Sequence, residues 1–357
     1  MTATHDDRGA GHGHGHGHGH GHGRGHGGVL NALREIFRTH SHDAADSVDD
    51  AFEASSEGIR AVKLSLVVLG ITAATQAVLV GLTGSVALLA DTIHNLSDAM
   101  TAVPLWIAFV LGRRRPTRSY TYGYGRAEDL AGIFIVAMIA LSAVVAGHQS
   151  IARLIDPQPI DHPWVVASAG VIGFLGNEAV AVYRIRVGRR IGSAALVADG
   201  QHARTDGFTS LAVVIGAVGV LVGMPLADPI IGLVITVAIL LVLRSAARDI
   251  YRRLMDAVDP ALTADALSIV RATPGVDDVE SFRMRWIGHR LYAETGIQVD
   301  HHLDVVAAHE IANDVHHRLL HGVTKLVDVT VHVSPSPVPG TDFHDALGHH
   351  PHPESVR

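Results

Sequence analysis

The chain has 357 residues, 48% of them hydrophobic and 18% charged, a balance that excludes an ordinary soluble protein of this length and calls for membrane spans. It contains no cysteine, so disulfides and thiolate metal sites are excluded, and a formal charge of −7 argues against nucleic acid as a partner. Any metal chemistry falls to the 26 histidines, with carboxylates and thioethers.

Residues 1–28 are low in complexity, with histidine at every second position from His12 to His22. Alternating glycine prevents a packed core and leaves the imidazoles mobile. The segment reads as a metal-collecting tail, and the bland alternative is a purification tag. Residues 29–58 are polar and lean acidic, so 1–58 is expected to be a disordered cytoplasmic region. Six apolar segments follow, near 61–82, 86–111, 130–152, 163–183, 194–223 and 229–246. Each offers roughly the 20 residues needed to cross about 30 Å of hydrocarbon, which places a six-helix membrane domain at 59–247.

Basic residues sort the connections. Arg34, Arg38, Arg60 and Lys63 precede the first span, and Arg113, Arg114, Arg115, Arg118 and Arg126 follow the second. Arg184, Arg186, Arg189 and Arg190 are read as a loop between the fourth and fifth spans; Arg244, Arg248, Arg252 and Arg253 follow the sixth. The intervening connections hold only Arg153. The positive-inside rule then puts both termini in the cytoplasm.

From 248 to 334 the pattern is that of a soluble domain. Residues 262–272 and 303–320 have helical periodicity, and Pro274-Gly275 closes the first of these. Val276–Trp286 and Arg290–Val299 read as paired strands joined at Ile287-Gly288-His289, and Leu326–Val333 as a third strand. The order α-β-β-α-β makes a small two-layer α+β domain on the cytoplasmic side. Residues 335–357, rich in proline and histidine, are expected to be a disordered tail.

The strongest signal is an internal echo. Ala87-Leu88-Leu89-Ala90-Asp91-Thr92-Ile93-His94-Asn95-Leu96-Ser97-Asp98 in the second segment matches Ala195-Leu196-Val197-Ala198-Asp199-Gly200-Gln201-His202-Ala203-Arg204-Thr205-Asp206 in the fifth. In each, the histidine and the last aspartate are four apart and share one helical face. Two such helices facing one another offer two imidazoles and two carboxylates, the four-coordinate set that zinc prefers. A carboxylate at the bilayer centre costs at least ~2.5 kcal/mol, so it needs a partner or a wet cavity. Two carboxylates and two neutral imidazoles carry a charge that one divalent cation cancels. Asp91 and Asp199 lie three residues before their histidines, as extra ligands, as partners orienting the histidines, or as packing residues. Arg204 is turned away from the ligand face.

Six spans, twin H-x-x-x-D motifs and an α-β-β-α-β domain resemble the cation diffusion facilitator family over residues 59–334. The resemblance implies a ferredoxin-like, metallochaperone-like cytoplasmic domain, a homodimer, and a transport site at His94, Asp98, His202 and Asp206. It implies a multi-pass transporter of the plasma or inner membrane that exports a divalent metal in exchange for protons and is not an enzyme. Members with two histidines and two aspartates are mostly zinc transporters, which matches ligand hardness; iron(II), cobalt, cadmium and manganese are the alternatives. The family's H-x-x-G-H-G-[RK]-A-E loop is here Tyr120-Thr121-Tyr122-Gly123-Tyr124-Gly125-Arg126-Ala127-Glu128. Tyrosine replaces both histidines, so no metal site is expected in this loop, and the tyrosines are expected to pack at the membrane interface. His309 and His332 match positions that bind regulatory metal in some relatives. Glu280 and Ser334 stand at other such positions, and His289, His301 and His302 are further candidates. A passive channel and a metal-storing or sensing membrane protein are the competing readings.

Overall fold

The computed structural model describes residues 44–83, 100, 102–156, 163–224, 226–341 and 343. The glycine-histidine tail, the first copy of the repeated motif and the last fourteen residues lie outside them. Among the described residues, five helices are long and apolar enough to span a membrane: α1 (Ala44–Thr83), α3 (Ala127–Ile155), α4 (Pro163–Ile191), α5 (Ala194–Leu221) and α6 (Ala227–Leu254). A shorter apolar helix, α2 (Ala102–Gly112), covers the described part of the second predicted segment.

The helices sit where the apolar segments predict them, but run further. Residues 44–58 are helical and continuous with the first span, which corrects the expectation of disorder through 58. No glycine or proline interrupts 44–57, and Gly58 lies directly against the Phe109 ring of α2. The last span likewise continues past 247 to Leu254, because nothing breaks it between Gly232 and Pro260. Arg252 and Arg253 in its last turn favour the negative end of the helix dipole, and Asp256, at φ 53°, turns the chain out of it.

The predicted basic loop between the fourth and fifth spans does not exist. Helix α4 runs to Ile191, and only Gly192 and Ser193 separate it from α5. Gly192 takes φ 80°, a conformation that costs glycine little. Ser193 caps α5, its hydroxyl accepting from the Leu196 amide at 3.2 Å. Arg184 therefore lies inside α4, only 2% exposed.

Small residues let these two helices approach closely, as membrane helices do where backbones touch. A methyl group on Gly200 would fall 2.7 Å from Ile185 Cγ1 and 2.9 Å from the Ile185 amide nitrogen. Backbone cannot yield as a flexible side chain can, so Gly200→Ala is expected to destabilise the bundle by about 1–3 kcal/mol, as overpacking does. Thermal unfolding of the purified variant checks this, and an unchanged midpoint would contradict the close α4–α5 contact. The bundle core is built from Ala61, Leu105, Phe109, Ile135, Ile139, Leu196 and Ile239. Leu, Val and Ile side chains such as Val67, Ile71, Val144, Val237 and Leu241 remain exposed on the outside, where lipid would meet them.

The second domain comprises α7 (Pro260–Arg271), β1 (Asp278–Ile287), β2 (Arg290–Val299), α8 (Val305–Gly322) and β3 (Leu326–Pro335). Its order is the predicted α-β-β-α-β. Asp259 caps α7 by accepting from the Ala261 amide at 2.9 Å, with Pro260 at the first helical position. Strands β1 and β2 pair antiparallel and β2 and β3 parallel, with β2 central. The parallel pair requires a crossover, which α8 supplies. Val270, Phe282, Leu291, Ile297, Val315, Leu319 and Leu326 form the core between helices and sheet. The sheet continues slightly past the expected boundary at 334, and the Ser336 amide donates to the Val299 carbonyl at 2.7 Å.

The tip of the β1–β2 hairpin is buried against the membrane helices. Gly288, at φ 61°, occupies the first of two turn positions, and a methyl group there would fall 2.7 Å from the Gly125 carbonyl oxygen. His289 follows, packed between α1 and α3. Its Nε2 is 3.2 Å from Ser55 Oγ, and its Nδ1 is hydrogen-bonded to Glu128. Ser193 Oγ donates to the other oxygen of Glu128 at 2.8 Å. Arg253 stacks over Trp286 at 4.0 Å and donates to the carbonyls of Gly192 (2.6 Å) and Gly288 (3.3 Å). Arg126 donates to Asp256 at 2.6 Å. Lys325 reaches the same place, beside Gly192, where burial and then the Arg253 charge push its ammonium below its usual value. The tyrosines also join this junction: Tyr122 lies under Arg285 at 4.7 Å and edge-on to Tyr292 at 6.3 Å. Tyr122 thus packs on the second domain.

Candidate metal transport site

Helix α5 carries the second copy of the motif on its inner face. Asp199, His202 and Asp206 are all buried, at 0%, 1% and 5% exposure. Spacings of three and four residues stack them along one stripe, and His202 Nδ1 lies 3.7 Å from Asp206 Oδ1. The Thr205 hydroxyl donates to the His202 carbonyl at 2.7 Å and that of Thr209 to the Thr205 carbonyl at 3.1 Å, so the helix satisfies its own hydroxyls. His94, Asp98 and Asp91, the matching residues of the other motif, lie outside the described residues.

Two guanidiniums flank the stripe, and each has a carboxylate partner. Arg204 donates to both oxygens of Glu178 on α4, at 2.7 and 3.1 Å, which holds it away from the stripe as its spacing predicts. Arg184 Nη1 lies 2.8 Å from Asp199 Oδ2, and both side chains are buried. Asp199 thus has a structural counter-ion, which favours a supporting position over that of a metal ligand. An imidazole and a carboxylate one turn apart remain as the donor pair, a set suited to a borderline-soft divalent cation.

Sequence reasoning missed Arg184, Glu178, Ser55 and Ser193 as partners of these groups. Arg184 was read as a loop residue because it belongs to a run of four arginines. Glu128 was visible in the G-R-A-E segment, but its partner His289 is 161 residues away.

The candidates in the second domain do not form one group. Glu280 sits at a bulge in β1, where Ser334 Oγ donates to its carboxylate at 2.9 Å. His332 lies across from Gly296 on the neighbouring strand, and His309 is exposed on α8. His289 lies nine residues along from Glu280 (280 to 289), about 30 Å in an extended strand. It belongs to the domain junction and cannot share a metal with Glu280. Among the described residues, Asp300, His301 and His302 are three neighbours whose ligand atoms lie within 4.8 Å of one another, all exposed.

Comparison with known proteins accounts for both domains. The family profile of the cation efflux transmembrane domain matches residues 62–255, and that of the cation efflux protein cytoplasmic domain matches residues 258–336. A Mycobacterium tuberculosis protein (strain H37Rv) bearing the name "Probable cation efflux system protein" is 62% identical over 309 residues, 87% of this chain and 93% of its own length. Metal tolerance protein 2 of rice is 26% identical over 82% of each chain. The magnetosome protein MamB of Paramagnetospirillum magneticum is 25% identical over 72% of this chain and 87% of its own. With both family domains in the expected order, this chain is a member of the cation diffusion facilitator family of cation efflux proteins.

Proposed function

We propose that this divalent metal cation efflux protein is a zinc exporter that exchanges the metal for protons through His94, Asp98, His202 and Asp206. Membership of the family makes it a multi-pass membrane protein that moves divalent metal; the metal, the exchange and the residues are the proposal. The observation that carries it is the buried His202 and Asp206, one turn apart on α5, in a motif repeated 108 residues earlier, at 91 against 199. Two such pairs match the charge of a zinc ion and its preference for four ligands. Protons enter the exchange because an imidazole must be deprotonated to bind metal, and its ordinary pKa near 6.5 lies within the cellular range. The protein sits in a plasma or inner membrane with both termini in the cytoplasm, and the cytoplasmic domain pairs two copies of the chain.

Flux in proteoliposomes with a pH gradient imposed in each direction tests the exchange. Acid on the release side is expected to accelerate zinc movement, and acid on the loading side to slow it. Equal rates in both directions, with no proton movement on zinc addition, would leave facilitated diffusion or storage instead. A panel of zinc, manganese, cobalt, iron(II) and cadmium in the same vesicles identifies the cargo.

A further inference from the structure

A buried ion pair joins α4 to the motif helix α5, one turn before His202, and metal coordination does not explain it. Arg184 and Asp199 are 2% and 0% exposed and 2.8 Å apart. Among the described residues, the Arg184 Nε and Nη2 atoms have no hydrogen-bond partner. Such an arginine is costly to bury: its desolvation is incompletely repaid, and a well-packed apolar pair of the same volume is often as stable. Stability alone therefore does not explain its presence.

Position supplies a reason. Asp199 precedes His202 by three residues, about 4.5 Å of helical rise. It lies toward the α5 end where Arg253 and Lys325 of the junction contact Gly192 and Arg189, and so between the cytoplasmic domain and His202. An uncompensated carboxylate there would add a negative charge to a site whose own ligands already balance a divalent cation, in surroundings that screen charge poorly. The other nearby arginine, Arg204, is held by both oxygens of Glu178 and cannot supply that compensation.

The geometry points to Arg184 as a charge-setting residue. By neutralising Asp199 it keeps the transport site weak enough to release its cargo. Arg184 pairs with Asp199 and acts through it, as a positioning residue. The inference rests on His202 and Asp206 being the transport ligands.

The test is zinc affinity of the full-length protein in detergent, measured by competition with a chromophoric chelator, together with vesicle flux. R184Q is expected to lower the zinc Kd by roughly tenfold or more while slowing maximal flux. D199N leaves the arginine charge unbalanced and is expected to raise Kd by a similar factor. R184Q/D199N and R184K should both return near the wild-type Kd. A merely structural pair cannot move the two single variants in opposite directions, so a shift of both in one direction, or of neither, overturns the inference. If D199N and the double variant weaken binding equally, Asp199 is itself a ligand and the inference is again overturned. Should R184Q fail to fold, the comparison of D199N with the double variant still decides. D206A run in parallel separates the two readings: wild-type zinc binding by D206A would remove the site itself, whatever Arg184 does.

Discussion

Alanine at His202 or at Asp206 brings zinc flux down to that of protein-free vesicles, while the variant still inserts and pairs. Each change removes one of four proposed ligands. Even partners that merely orient ligands are worth 10–100-fold in metal affinity, so loss of a ligand should cost at least about 100-fold. His94→Ala and Asp98→Ala should behave alike, because the repeated motif gives each helix half of the donors. The decisive measurement is flux over a wide zinc range, since a weakened but intact site would recover at high metal. Normal flux in any two of the four variants removes the assignment. Replacing His94 and His202 by aspartate should move preference toward manganese, because an all-carboxylate set suits a harder cation.

The second large effect belongs to the domain junction. Glu128 and His289 are buried at 2% and 5% exposure, and Ser193 and Ser55 complete their hydrogen bonds. Glu128→Ala leaves the imidazole without its carboxylate, and His289→Ala leaves the carboxylate without its imidazole. Leaving one member of a buried hydrogen-bonded pair unsatisfied costs about 1–3 kcal/mol, and more where the group is charged, so each single variant should melt below wild type. The double variant should cost less than the sum of the two, because the pair acts as a unit. Melting of the full-length protein in detergent, read as a double-mutant cycle, gives the coupling. Additive or negligible effects would mean that the hairpin tip is not anchored through these residues.

The legible parts of this protein were those written as periodicity. Apolar runs located the spans, alternation and turn residues located the strands, and the spacing of the repeated motif put Asp199, His202 and Asp206 on one buried stripe of α5. Helix ends were misjudged because polarity was taken as a stop signal. In residues 44–57 and 248–254 the helix continues through polar sequence, since neither stretch contains a glycine or proline. Arg184 was hidden for the same reason: a cluster of arginines suggests water, and only the packing of α4 on α5 shows one of them turned inward to Asp199. The Glu128–His289 pair was out of reach because nothing local announces a contact spanning 161 residues.

The buried hairpin tip also bears on how the cytoplasmic domain can be studied in isolation. A fragment beginning near residue 258 carries His289 but lacks Ser55, Glu128 and Phe109, the groups that enclose it here. In such a fragment the imidazole faces water and becomes an ordinary surface ligand. Metal stoichiometry measured on the excised domain would then count a histidine that the intact protein keeps for holding its two halves together.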